Sequence, residues 1–232
     1  MRCSRCRPPC PPTSAAGAWL AQTARAVADE FPAVRRYVPV TNRTREDLLS
    51  VIVIEFMTVD GTVSDPDGSG GTTCGRWAFR HGPETVAGDK FQLGPLFDSG
   101  VLLLGRRTWQ LFAGIWPGRT DAFSARMNSI PKLVATQSDI NLDVWSNSEQ
   151  IEDVVAFVKG ESRDVIVAGS LSVVAALQAA DLVDEYRLLT FPTVVGAGQP
   201  LFPKGAPPSY LECVSAELVG AAALVRYRRP GR

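Results

Sequence analysis

An α/β fold with a predominantly parallel sheet, helices on both faces and an antiparallel C-terminal edge is predicted by three features of the 232-residue chain. Short apolar runs rich in β-branched residues alternate with stretches of helical periodicity, as buried parallel strands joined by crossover helices require. Two of those runs end in glycine immediately before a helix, at Leu104-Gly105 and Ala168-Gly169. The chain then closes with three strand-like runs in succession, which suits antiparallel pairing.

Residues 1–47 read as an N-terminal extension. They are Cys/Pro-rich and partly disordered by composition, with Trp19, Leu20, Ala24, Val27, Ala28, Phe31 and Val34 spaced for a short amphipathic helix. Residues 48–232 read as one domain, opening with a β-branched strand over 49–57. Residues 60–75 form a glycine-rich loop of a length that usually carries function. A helix is predicted over 84–97, a strand over 101–104, and a short helix from Gly105-Arg-Arg-Thr-Trp109. There follow a strand over 132–136, an extended piece near Val144, a helix over 149–159, a strand over 164–168 and a helix over 171–180. Strands over 185–191, 210–218 and 222–228 complete the domain, with Gly196-Ala-Gly198 turning between the first two.

Composition narrows the function classes. The 24 basic and 24 acidic residues cancel. Residues 1–47 hold eight of the former and four of the latter, which leaves the domain mildly acidic and unsuited to nucleic acid. No apolar run reaches the roughly 18 residues a membrane span needs. Pro8, Pro9, Pro11 and Pro12 occupy the place of a signal peptide's apolar segment, so a cytoplasmic protein is expected. Cys3, Cys6 and Cys10 are spaced like metal ligands but lack a nearby fourth, and the single histidine is His81; no metal is expected.

The chemistry concentrates at the two strand-to-helix junctions. In open α/β sheets ligands bind beyond the carboxyl ends of the strands. At Gly105-Arg106-Arg107-Thr108 a glycine lets a phosphate approach the backbone, a helix start offers free N–H groups and arginine adds a bidentate fork. Gly169-Ser170-Leu171-Ser172 repeats the arrangement. A Gly-x-Gly-x-x-Gly fingerprint, a phosphate-binding Gly-x4-Gly-Lys-Ser/Thr loop, a Gly-x-Ser-x-Gly elbow and a zinc-deaminase signature are all missing.

In order, Phe56-Met-Thr-Val-Asp60-Gly61, Cys74-Gly-Arg-Trp77, Leu102-Leu-Leu-Gly105-Arg-Arg-Thr-Trp109, Pro131-Lys-Leu-Val-Ala135, Trp145-Ser-Asn-Ser148, Ala168-Gly-Ser170, Leu182-Val-Asp-Glu-Tyr186 and Pro192-Thr-Val-Val-Gly-Ala-Gly-Gln-Pro-Leu-Phe202 resemble the reductase domain of the riboflavin-biosynthesis deaminase–reductases, and still more its stand-alone, dihydrofolate-reductase-like members. The resemblance covers roughly residues 48–229. It implies an eight-stranded dihydrofolate-reductase-like sheet, NADPH as hydride donor, reduction of a pteridine- or pyrimidine-like compound, and a homodimer. It further implies that Gly105, Arg106, Arg107 and Thr108 hold the 2′-phosphate side of the cofactor. Thr136, Gln137 and Ser138 would lie near the adenine ribose, Gly169, Ser170, Leu171 and Ser172 near the pyrophosphate, and Thr58, Asp60 and Gly61 beside nicotinamide and substrate. The Thr136-Gln137 pair departs from the serine-led turn usual there, and no deaminase domain accompanies the chain.

For catalysis, Asp60 follows the first strand and can either face the nicotinamide or simply cap its Asp-Gly turn. Asp89 precedes Gly105 at the spacing of the substrate carboxylate of dihydrofolate reductase; a surface carboxylate is the alternative. Trp77, Phe79 and His81 alternate and can floor a flat-ring pocket or pack within a strand. A non-catalytic NADP(H)-binding protein would use the same junctions.

Overall fold

The computed structural model describes residues 50–205 and 208–231; the helix read over Trp19 to Val34 lies outside them. Eight strands, β1 (Val51–Thr58), β2 (Val101–Gly105), β3 (Lys132–Ala135), β4 (Ser148–Ile151), β5 (Val165–Val167), β6 (Glu185–Phe191), β7 (Glu212–Val219) and β8 (Ala222–Arg228), form one sheet in the order β4-β3-β2-β5-β1-β6-β8-β7. The first six pair in parallel, and β8 and β7 add an antiparallel edge. The fold class is the one predicted.

Side-chain alternation assigns the two faces. Val51 and Val53, Val101 and Leu103, and Val165 and Val167 pack beneath α5 (Val154–Gly160) and α6 (Leu171–Ala179). Ile52 and Ile54, Leu102 and Leu104, and Ile166 pack beneath α3 (Arg106–Ala113) and α4 (Ala122–Ser129), which bring Trp109 and Met127. Both faces are therefore covered, and the central strands carry apolar residues on each. Full burial of one such side chain contributes about 1.5–3 kcal/mol, so these strands hold the layers together.

Several elements differ from the sequence reading. The helix expected over 84–97 is two single turns, α1 (Pro83–Val86) and α2 (Leu96–Ser99). Gly88 and Gly94, both at positive φ, and Pro95 break it. The helix expected over 149–159 is β4 followed by α5, whose start is capped by Asp153 accepting from the Ala156 N–H at 2.9 Å. The extended piece near Val144 is a 3-10 turn, Leu142–Val144, and Ala78–Arg80 is another, so Trp77, Phe79 and His81 do not alternate along a strand. Helix α4, capped by Asp121, was not foreseen.

Polar groups where β6 pairs with β8 form one network. Glu185, with 4% of its side chain exposed, accepts from Arg187 Nε at 2.7 Å, Arg226 Nη2 at 3.0 Å and Arg228 Nη2 at 2.8 Å. Burial alone would raise its pKa, but the hydrogen bonds and charges of Arg228, Arg187 and Arg226 outweigh that and hold it below the usual carboxylate range. The stability it contributes is therefore present above the ordinary glutamate pKa and lost as pH falls through the depressed one. Arg187 also donates to the carbonyls of Phe91 and Gln92, joining β6 to the segment between α1 and α2. Removing the carboxylate leaves three guanidinium groups crowded without a counter-charge. Glu185→Ala is expected to lower unfolding free energy by about 3–5 kcal/mol at neutral pH, measured by urea denaturation.

Candidate active site

Four of the segments singled out in the sequence end up side by side. Strands β3, β2, β5 and β1 are consecutive neighbours and all parallel, so their carboxyl ends emerge along one rim. Along it lie Thr136 and Ser138 after β3, Gly105 to Thr108 after β2, Gly169 to Ser172 after β5, and Thr58 to Gly61 after β1. Three strand spacings make that row roughly 14–15 Å long, a span that suits an extended dinucleotide.

At its middle the two glycine junctions touch. The Gly105 N–H donates to the Gly169 carbonyl at 3.0 Å. A side chain on Gly105 would meet Ser170, whose Cβ would stand 2.9 Å away. Gly169 has φ +89°, and its peptide to Ser170 is cis. The helices that leave these junctions, α3 and α6, have no side chain capping their first turn, whereas α4 and α5 are capped by Asp121 and Asp153. Two sets of helix-start N–H groups thus face the rim without an internal acceptor. Arg106 and Arg107 are exposed at the first of them and make no ion pair or hydrogen bond among the described residues. Ser170 and Ser172 share a hydroxyl contact of 2.8 Å, and Thr136 closes its turn through the Ser138 N–H at 3.1 Å.

The end of β1 is tied to the loop after β6. Asp60 accepts from the Thr58 hydroxyl at 2.5 Å, from the Gly196 N–H at 2.7 Å and from the Val195 N–H at 3.2 Å. The Thr58 hydrogen bond, with the two backbone N–H groups, holds its carboxyl below the usual aspartate range. Around it Val59 N–H donates to Thr193 O, Val63 N–H to Gln199 O and Leu201 N–H to Gly61 O. Two sequence motifs some 135 residues apart, Thr58 to Gly61 and Pro192 to Phe202, are thereby one local structure. Asp60 acts as a bracket between them.

An aromatic floor lies beside this bracket. Phe191 is its centre, with Phe56 at 5.1 Å, Trp77 at 5.4 Å and His81 at 5.7 Å between ring centroids. Trp77 is buried and donates to Ser64 O, so it supports the floor, while half-buried His81 pairs with the Thr193 hydroxyl at 2.7 Å. Phe79 is exposed. Phe91 stacks on Phe56 at 5.6 Å, and the Lys90 ammonium stands 5.3 Å over the same ring. Asp89 is not on a helix: its carboxylate accepts from the Leu93 and Gly94 N–H groups, both at 2.8 Å, and closes the turn that carries Phe91.

Two groups here were missed in the sequence. Burial pushes the Lys90 ammonium down to about 8. Burial also pushes the Glu55 carboxyl up to about 8. Glu55 lies on β1 next to Phe56, and a Cβ placed on Gly169 would lie 3.7 Å from its Oε1. A glutamate inside an otherwise apolar, β-branched run was the signal that could have found it.

With this geometry in view, comparison with known proteins gives a family. Residues 50–225 match the RibD C-terminal domain, and the chain belongs to that reductase-like family. Over 110 residues it is 30% identical to the Bacillus subtilis protein YyaP, a match covering 44% of this chain and 58% of that relative. Among solved structures, a riboflavin biosynthesis protein of Shewanella sp. PV-4 superposes with a TM-score of 0.58 at 16% identity, over 78% of this chain and 99% of its own. A pyrimidine reductase-like protein of Corynebacterium diphtheriae gives 0.50 at 13% identity, over 78% and 91%. At these identities the structures speak for the shared fold. No helix among the described residues is long and apolar enough to cross a membrane.

Asp60→Ala is expected to speed amide hydrogen exchange at Val195 and Gly196 by at least about tenfold, because both lose their acceptor; Asp60→Asn, keeping one acceptor oxygen, should do so less. Glu55 gives a test of opposite sign. Its folded pKa lies above its ordinary value, so the folded chain keeps a proton that the unfolded chain has already released. Stability on its account is complete at low pH and falls as pH rises towards about 8. Glu55→Gln is therefore expected to raise Tm by at least about 3 °C at pH 9 and by much less at pH 5, read by calorimetry.

Proposed function

We propose that this chain is an NADPH-dependent reductase of a small heterocyclic compound, pteridine- or pyrimidine-like, related to the 5-amino-6-(5-phosphoribosylamino)uracil reductases. The observation that carries the reading is the pair of uncapped helix starts on neighbouring strands, beside two unpaired arginines and next to an aromatic floor. Donors without acceptors at a helix start favour anions, and two such starts about one strand apart suit a molecule with phosphates along its length.

The residues present fit the cofactor. Arg106 and Arg107 offer guanidinium forks for a terminal phosphate, with Thr108 beside them. Gly169, Ser170, Leu171 and Ser172 offer backbone and hydroxyl donors for the pyrophosphate, and Thr136 and Ser138 flank the ribose. Bound NADPH supplies a hydride. Phe56, Phe91 and His81 give a flat heterocycle apolar surface and one polar edge, and exclude water from one side of it. Thr58 and Gly61 border the same opening. Asp60, occupied by three hydrogen bonds and easily ionised, shapes this opening and is poorly suited to donate a proton. Asp89 is likewise engaged by two N–H groups.

Charge-assisted hydrogen bonds to a phosphate contribute about 1.5–3 kcal/mol. Losing both arginines should therefore narrow the preference for NADPH over NADH by at least about tenfold. Titration of the Arg106→Ala/Arg107→Ala variant with each cofactor checks this, and an unchanged preference refutes the site. Loss of NADPH absorbance with reduced pyrimidines or pterins as products separates a reductase from a protein that only holds the dinucleotide.

A further inference from the structure

Glu55 is the one acidic side chain of β1, and it stands beside the Gly169 junction. Val51 and Val53 face α5 and α6, so by alternation Glu55 faces the same side, towards the start of α6. Its Oε1 lies 3.7 Å from where Gly169 would carry a Cβ, and the Thr108 hydroxyl lies 3.3 Å from the same point. Among the described residues no donor or cation pairs with this carboxyl.

The apolar cluster of this face includes residues from the neighbouring elements. Strand β5 supplies Val165 and Val167, β6 supplies Leu188 in direct register with Glu55, and α6 supplies Leu171 and Val174. The titratable groups of this cluster are Tyr186 and Tyr227, and Arg229 and Asp181 act on Tyr186. The charged groups next along the chain from Thr108 are Arg106 and Arg107, which are exposed. An ionised Glu55 would set a negative charge against the position at which α6 offers its N–H groups to an anion. A carboxyl that keeps its proton presents an O–H donor there instead.

We infer that Glu55 binds the dinucleotide as a neutral carboxylic acid, donating its O–H to the ligand beside the Gly169 junction, so that cofactor and proton are held together. Glu55 is then a binding residue, and the inference rests on the reductase reading above. Its desolvation agrees, since a carboxyl raised to about 8 is protonated at neutral pH. NADPH carries several negative charges, and a second anion beside it repels it.

The test is NADPH affinity against pH, read by binding fluorescence of the wild-type chain and of Glu55→Gln, without substrate. From about pH 6.5 to about pH 9.5 the wild-type Kd is expected to stay level and then rise about tenfold per pH unit once Glu55 ionises, while Glu55→Gln keeps its neutral-pH Kd throughout. Calorimetry at alkaline pH, in two buffers of different ionisation enthalpy, should show protons taken up on binding by the wild type and none by the variant. Tight binding with the same pH dependence in both proteins overturns this inference and leaves the reductase reading standing. So does a Glu55→Gln variant that keeps its Tm but loses NADPH at neutral pH, because the amide is neutral and still a donor. Failure of both proteins to bind NADPH at any pH overturns both readings.

Discussion

The close approach of two backbones, Gly105 against Gly169 and Ser170, is the constraint on which the site depends. β2 and β5 are paired neighbours, but a side chain at Gly105 would drive their carboxyl ends apart. With hydrogen there, the Gly105 N–H reaches the Gly169 carbonyl, and helices α3 and α6 begin side by side while covering opposite faces of the sheet. The two helix starts are consequently presented together although each helix belongs to a different layer. The remaining geometry of the rim follows from parallel pairing, which fixes the ends of β3 and β1 on either side.

The sequence revealed the sheet because its central strands are buried on both faces and so are apolar without interruption, as in Val51 to Ile54 and Val101 to Leu104. The junction glycines were visible for the same reason: they punctuate such runs. What escaped notice was set by short-range breakers and by partners distant in the chain. Gly88, Gly94 and Pro95 were enough to stop a helix over 84–97, and Asp153 was the start signal that separates β4 from α5. Glu55 was hidden because its neighbours are strand-forming, and only the folded chain places Gly169 beside it. The role of Asp60 depends on N–H groups that arrive from a loop more than a hundred residues later.

Acidic side chains in this domain serve backbone geometry in several places. Asp60, Asp89, Asp121 and Asp153 each accept from peptide N–H groups, and Asp65 does the same for Gly70 and Thr72 in the long glycine-rich loop. Glu185 answers three arginines. Against that background Glu55 is conspicuous: among the described residues it has no such partner. A carboxyl already answered by peptide N–H groups, as at Asp60 and Asp89, is a weak candidate for acid chemistry, however well placed in the sequence.

The bracket at Asp60 is one of several ties between the two segments it joins. The segments around Asp60 and Gly196 are joined by backbone bonds from Val59, Val63 and Leu201, by the Thr62 hydroxyl on Ala197 O, and by the Ser64 hydroxyl that accepts from Gln199. Neither segment can swing away from the other without exposing several of these groups at once. The two are therefore one structural unit with two roots, one at the end of β1 and one at the end of β6. Because those strands are adjacent in the sheet, the two roots lie side by side on the sheet's own rim.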